Sequence, residues 1–308
     1  MRKASLILLA LVGSSTAVKV AGASLQGLQR ALSARRAVVV ELAQAPGTAP
    51  PTAFDLDELS AKCRAAGAAA LVVPASVLPV IAAEQAAAVR SYPGPVPLIC
   101  QLVPAYGEAG DEPVLEVSSL PLAELRAQGA AGIMLRASSA ASMDELAAII
   151  AAASGETLGT LIIAVDSVEA AVVAAAGATA VICEGAARLA AEDGGGAPAP
   201  ICFGLWWDGS AGSLAGVRSA GFERVYIEDA CAGDMVLGAG RCTALLSAAQ
   251  SKKSSQWSGS MFGVSDNDPP ERRNPLAWAQ SKRQAREIMH ESAKSRGLPP
   301  PQLRHGGK

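Results

Sequence analysis

The sequence predicts an α/β protein in which short parallel strands alternate with helices. Eight apolar runs lack strict alternation of apolar and polar residues, the pattern of parallel strands that are covered on both faces. The segments between them have helical periodicity, and several end in glycine just before the next strand, which suits a helix C-cap. The predicted strands are Val38–Glu41, Ala70–Val73, Pro97–Leu102, Gly132–Leu135, Leu161–Val165, Ala180–Cys183, Pro200–Leu205 and Arg224–Ile227.

A repeated phrase of helix, glycine and strand indicates the architecture. It occurs as AAGAAALVV, AQGAAGIML, AAGATAVIC and SAGFERVYI. Repeated units over about 215 residues fit a (βα)8 barrel near the small end of its size range. An open, doubly wound sheet is the alternative, but the loop ELAQAPGTAPP after the first strand lacks the GxGxxG dinucleotide fingerprint. We therefore predict a (βα)8 barrel over residues 24–250, followed by a linker and a helical tail.

The first 23 residues differ in composition from the predicted barrel. Arg2 and Lys3 precede the apolar run LILLALV, and small residues follow it, which is the pattern of a signal peptide. Residues 1–40 contain six Lys/Arg and no acidic residue. This acid-poor segment resembles a two-part plastid targeting leader. We predict a plastid (chloroplast) location, with secretion as the alternative.

Residues 251–308 form a basic tail in this prediction. Positions 252–308 hold 11 Lys/Arg against 5 Asp/Glu, and the rest of the chain holds 15 against 23. The stretch NPLAWAQSKRQAREIMHESAKSRG is typical of one amphipathic helix, with Asn274 as N-cap and Gly297 as stop. We expect this helix to bind a protein complex or an anionic membrane surface, and no nucleic acid. Its predicted contact residues are Leu276, Trp278, Arg283, Arg286, Ile288 and Met289.

Cysteine and histidine positions give no sign of a metal or cofactor site. The six cysteines form no CxxC pair and three lie in apolar runs, so we interpret them as buried thiols in a reducing compartment. The two histidines, His290 and His305, both lie in the tail. A histidine-based triad or metal site in the barrel is therefore excluded, and no cofactor or metal is expected.

The register of the repeated units resembles indole-3-glycerol-phosphate synthase, the (βα)8 barrel of tryptophan biosynthesis. The similarity runs from Ser24 to Gln250 and includes a short helix before the first strand. Its most specific part is VVVELAQAPGTAPPTAFDLDELSAKCRAAGAAALVV, where the family has a strand ending Glu-x-Lys and then a Ser-Pro-Ser-Lys-Gly loop. The family closes a pyrrole ring on a phosphorylated substrate and releases carbon dioxide and water, with lysines and a carboxylate at the carboxyl ends of the strands.

The resemblance implies that this chain keeps one member of the acid–base set. Glu41 matches the glutamate of the first strand. Alanine and glutamine at the lost positions cannot act as general acids. The lost positions are Ala43 and Gln101 for the two lysines, Ala164 for the strand-five glutamate, and Glu184 and Ala186 for the strand-six Asn and Arg. We expect Glu41, Gln101, Ala164 and Glu184 to face one mouth of the barrel.

The phosphate-binding end of the family also differs here. Glu228 and Asp229 lie where backbone N–H groups would meet a phosphate, with no Lys or Arg in the matched loops. Two like charges about 4 Å apart repel by about 4 kcal/mol at an effective dielectric constant of about 20. We therefore predict that the mouth binds phosphorylated ligands poorly. The remaining candidate mouth residues are Thr48, Trp206, Trp207 and Gly209.

Together these substitutions predict a non-catalytic barrel, or pseudoenzyme, related to indole-3-glycerol-phosphate synthase. It would act as a plastid scaffold or as a subunit of a larger assembly. The alternative is an enzyme. That enzyme would be either an active indole-3-glycerol-phosphate synthase, a carbon–carbon lyase, or a barrel with a new activity.

Overall fold

The computed structural model of the chain describes residues 24–102, 114–183, 200–206 and 209–251. The chain divides into Met1–Ser255 and Gln256–Lys308, and all described residues belong to the first unit. No helix in the four described ranges is long and apolar enough to cross a membrane. The predicted positions that lie outside these ranges are the leader, Glu184, Ala186, Trp207, and the tail with Leu276, Trp278, Arg283, Arg286, Ile288 and Met289.

Parallel strands form a closed barrel in chain order. The last strand pairs with the first, so the described sheet has no free edge. Each of the eight predicted runs overlaps one strand, and the predicted (βα)8, or TIM, barrel is confirmed. The strands are β1 (Val38–Glu41), β2 (Ala70–Pro74), β3 (Leu98–Gln101), β4 (Gly132–Arg136), β5 (Gly159–Ile163), β6 (Ala180–Cys183), β7 (Ile201–Trp206) and β8 (Val225–Ile227).

Alanine-rich helices cover the outside of the barrel. Serine, threonine or aspartate caps the N-terminus of several of them, and Thr52 forms a reciprocal capping box with Asp55. Neighbouring helices also contact each other, as Ala53–Ala65 does with Leu78–Ala87 and with Ala239–Gln250. The described helices are α1 (Leu25–Ser33), α2 (Ala53–Ala65), α3 (Leu78–Ala87), α4 (Leu122–Ala127), α5 (Met143–Gly155), α6 (Ser167–Ala175), α7 (Ala211–Ser219) and α8 (Ala239–Gln250).

The short helix α1 packs against the amino ends of the barrel strands. Leu28 and Leu32 are fully buried and belong to the same apolar cluster as the residues inside the barrel. A Cβ atom added to Gly132 or Gly159 would lie 2.9 or 2.6 Å from Leu28 Cδ2. The two glycines at the starts of β4 and β5 therefore make room for this leucine.

Strand residues alternate between two apolar clusters. One cluster fills the barrel and includes Val39 and Ile163. The other lies between the strands and the helices and includes Val38, Val40 and Ala164. This alternation follows from the two-residue period of a strand. It decides which residues at the carboxyl ends of the strands can meet inside the mouth.

Candidate functional site

A buried carboxyl group lies inside the barrel at its carboxyl end. Glu41 is the last residue of β1 and is 1% exposed. Its Oε1 accepts a hydrogen bond from Gln101 Nε2 at 2.7 Å, and its Oε2 accepts one from the Tyr226 hydroxyl at 2.7 Å. Each oxygen of the carboxyl group is therefore engaged by a neutral donor. The contacts join β1 to β3 and to β8.

This environment changes the ionisation of Glu41. Burial raises the pKa of Glu41 to about 7, and the nearby Glu228 carboxylate adds to that rise. The hydrogen bond from Tyr226 acts in the opposite direction. Burial, together with the Glu41 carboxyl, raises the pKa of Tyr226 well above its ordinary value, so this hydroxyl remains a donor. Near neutral pH, Glu41 is therefore divided between its neutral and charged forms.

An ion pair spans the mouth beside Glu41. Arg136, the last residue of β4, donates to the Glu228 carboxylate just after β8, and both side chains are partly buried. Glu228 is also held by its backbone, since its N–H donates to the Trp206 carbonyl at 3.1 Å. The Arg136 guanidinium offsets the negative charge of the Glu228 carboxylate. The sequence analysis considered only the matched loops, which hold no Lys or Arg, and so it did not include this arginine at the end of β4.

The loop after β8 has a strained backbone. Asp229 and Ala232 have φ values of 42° and 53°, in the left-handed region that disfavours a side chain. The Asp229 carboxylate accepts a hydrogen bond from Gly233 N at 2.8 Å, and Arg241 donates to the Asp229 carbonyl at 2.9 Å. The loop thus uses Asp229 to hold its own shape.

The positions that the resemblance matched to catalytic residues of the synthase family are not all brought together. Gln101 contacts Glu41 directly. Ala43 lies two residues after Glu41 in the chain and is 1% exposed. Ala164 belongs to the outer cluster, and Ile163 fills the inner one at the end of β5. The expectation that Ala164 faces the mouth was therefore one residue out of register.

The other candidate mouth residues in the described ranges serve the local structure. Trp206 is 1% exposed, belongs to the outer cluster and donates from Nε1 to the Ser210 carbonyl at 3.0 Å. The Thr48 hydroxyl donates to the Ala45 carbonyl at 2.7 Å. Gly209 has a φ of 69°, and an added Cβ would lie 3.0 Å from the Arg241 guanidinium. Its place therefore requires glycine.

Sequence reasoning missed Arg136 and Tyr226. Both lie on strands that were predicted, at or near the carboxyl end. Counting in steps of two from an inner residue would have found them, since Met134 and Arg136 share one side of β4. Within the described ranges, no group of three or more His, Cys, Asp or Glu side chains is arranged to hold a metal ion.

Comparisons with known proteins bear on the fold only. No protein-family model and no curated protein matches this chain. Thiamine phosphate pyrophosphorylase from Pyrococcus furiosus has a similar structure, with 11% identity and a TM-score of 0.44 over 73% of this chain and 100% of that one. The native KDPGal structure is 16% identical, with a TM-score of 0.44 over 70% and 93% of the two chains.

A third similar structure is N-acetylmannosamine-6-phosphate 2-epimerase from Clostridium perfringens. It is 12% identical, with a TM-score of 0.44 over 64% of this chain and 88% of that one. At these identities the likeness concerns the fold alone. The assignment of a TIM barrel rests on the closed, parallel, eight-strand sheet itself.

Proposed function

We propose that this protein is a non-catalytic barrel related to indole-3-glycerol-phosphate synthase. The observation that carries the proposal is the state of Glu41, the retained member of the acid–base set. Its two oxygens are engaged by Gln101 and Tyr226, and the side chain is 1% exposed. A carboxyl group held in this way links three strands, and its burial separates it from a substrate in the mouth.

The residues around Glu41 do not replace the missing chemistry. Ala43 has no proton to donate, and the Gln101 amide is already used by Glu41. The cation in the mouth, Arg136, is paired with Glu228. General acid–base steps contribute about 10²–10⁴-fold each, so the loss of two lysines removes most of the family's rate.

The proposed role is that of a plastid scaffold or a subunit of a larger assembly. Charge supports it, since residues 1–251 hold 15 Lys/Arg against 23 Asp/Glu and the rest of the chain holds 11 against 5. A basic amphipathic segment suits an acidic protein surface. The test deletes residues 252–308 and compares the size of the complex in plastid extracts. Co-migration of the truncated and intact chains in the same large complex would contradict a role for the tail.

The direct test of the non-catalytic proposal uses the purified full chain. We expect no indole-glycerol phosphate to form from the family's substrate. Turnover within about a hundredfold of the ordinary enzyme median of about 10 s⁻¹ would overturn the proposal. Glu41→Gln is the control, because activity that this variant abolishes belongs to the barrel, whereas activity that it leaves unchanged belongs to a contaminant. Calorimetry with the same substrate is expected to show no binding tighter than millimolar.

One observation favours a second candidate, a barrel enzyme with a new proton-transfer activity. The pKa of Glu41, raised to about 7 by burial, is suited to a general acid or base at neutral pH. The test screens sugar phosphates and 2-oxo acids for a rise in the Tm of the full chain. A ligand that stabilises the protein but not its Glu41→Gln variant would favour this candidate, and the absence of such a ligand would favour the non-catalytic barrel.

A further inference from the structure

Two buried thiols meet between the helices that flank the first and last strands. Cys63 of α2 and Cys242 of α8 have their Sγ atoms 3.3 Å apart, and both side chains are fully buried. The residues are 179 positions apart in the chain. A third thiol, Cys231 in the loop after β8, forms a hydrogen bond with Cys242. All three thiols are free in this structure.

We propose that Cys63 and Cys242 form a disulfide bond when the chain folds in contact with an oxidising disulfide. A disulfide needs its sulfur atoms about 2.05 Å apart, so the thiols have to approach by little more than 1 Å. The helices that carry them already pack against each other, and Gln250 of α8 donates to the Gly67 carbonyl after α2 at 2.6 Å. The bond would close the helical layer where the barrel itself closes.

The surroundings of the thiols decide when the bond can form. The thiolate is the reactive form of cysteine. The hydrogen bond between Cys231 and Cys242, together with burial, raises the pKa of Cys231 far above the ordinary value. The bond from Cys231 lowers the pKa of Cys242, but the bond with Cys63 and burial outweigh it and raise the pKa overall. Proton loss from Cys231 and Cys242 is therefore suppressed once the chain has folded, so the exchange takes place while α8 is still docking against α2.

The reaction is a thiol–disulfide exchange with a small disulfide such as oxidised glutathione. The Cys63 thiolate attacks one sulfur of the reagent, which forms a mixed disulfide and releases one glutathione thiolate. The Cys242 thiolate then attacks Cys63 Sγ and releases the second. Two protein thiols are oxidised, one small disulfide is reduced to two thiols, and the two protons pass to the released thiolates.

The experiment refolds the full chain from denaturant with oxidised and reduced glutathione, followed by alkylation and peptide mapping without reduction. Trypsin cuts after Arg241 and so separates Cys231 from Cys242. We expect two of the six thiols to escape alkylation, with a cross-linked peptide that joins Cys63 to Cys242. A loop of this length predicts a Tm that is roughly 10 °C higher than that of the same sample after reduction.

Three variants serve as controls. Cys100→Ala removes an equally buried thiol outside the cluster and is expected to keep both the cross-link and the Tm difference. Cys231→Ala is expected to keep them too, because Cys231 is not part of the bond. Cys63→Ala is expected to abolish both. If this variant does not fold, the peptide map of the unmodified chain tests the proposal instead. Six alkylated thiols after oxidative refolding, or a bond that joins Cys231 to Cys242, would overturn the proposal.

Discussion

Glu41 inside the barrel and Glu84 between α2 and α3 are both largely enclosed carboxyl groups, but their donors differ in charge. Glu84 accepts a hydrogen bond from the Arg64 guanidinium at 2.7 Å and another from Ser60 at 2.7 Å. Glu41 accepts from the neutral Gln101 amide and Tyr226 hydroxyl, and Arg136 is paired with Glu228. The helix layer thus balances its charge by an ion pair, whereas the barrel interior reduces its charge by raising the pKa of Glu41.

The largest effect is expected from breaking the ion pair of the helix layer. The side chains of Arg64 and Glu84 are 9% and 12% exposed. Arg64→Met keeps the volume and leaves a buried carboxylate without its cation, so we expect the free energy of unfolding to fall by about 3–5 kcal/mol. Urea denaturation at pH 7 measures it.

Lys62→Met is the matched control for that change. Lys62 forms an ion pair with Glu58 one turn away, and both side chains are 48% exposed. Its loss is expected to lower the free energy of unfolding by at most about 0.5 kcal/mol. Equal losses for the two variants would show that the enclosed pair is no different from a surface pair.

The second effect concerns the proton on Glu41. Its carboxyl has a pKa of about 7 in the folded protein and an ordinary value of 4.5. Between these values the folded state holds the proton and the unfolded state does not, so this contribution to stability is complete below pH 4.5 and is lost as the pH rises to 7. This difference in pKa corresponds to a fall of about 3 kcal/mol in the free energy of unfolding between pH 4.5 and pH 7.

Glu41→Gln removes the titrating group and is expected to remove this pH dependence. The measurement is urea denaturation of both proteins at intervals from pH 4.5 to 8, and the variant is expected to gain about 3 kcal/mol relative to the parent over that range. Parallel profiles for the two proteins would show that Glu41 ionises as an ordinary carboxyl group does.

The smallest of the three effects is expected from the hydroxyl that faces Glu41. Tyr226→Phe removes one donor and raises the pKa of Glu41 further. At pH 8, where the carboxylate is charged, we expect the free energy of unfolding to fall by about 2 kcal/mol, and at pH 5 by about 1 kcal/mol. Tyr92→Phe is the control, since Tyr92 is fully exposed. A loss at Tyr226 that is independent of pH would contradict a bond to a titrating group.

The sequence was sufficient to predict the barrel and to place Glu41 at the carboxyl end of its first strand. Eight apolar runs predicted eight strands, because strands covered on both faces must be apolar along their whole length. Glu41 ends an apolar run, and the resemblance to the synthase family implied that Glu41 and Gln101 lie at the same mouth. Their direct contact matches the expectation that they share one mouth.

Because the runs are apolar along their whole length, they do not indicate which side chains point into the barrel. A run such as LIIAV contains no polar residue that marks its inner side, so Ala164 was assigned to the place that Ile163 occupies. The pairing of Arg136 with Glu228 joins β4 to the loop after β8, 92 residues apart. A contact of that kind depends on the stagger of the closed sheet, which no local pattern contains.

The bond between Glu41 and Tyr226 spans 185 residues and joins the first strand to the last. A ribosome adds about 5–20 residues per second, so the second partner follows the first by roughly 10 to 40 s. During that interval β1 has no β8 beside it, and its open edge is exposed to other chains. Barrel closure is therefore a late event in synthesis, and a chaperone that shields the growing sheet would act before residue 226 leaves the ribosome.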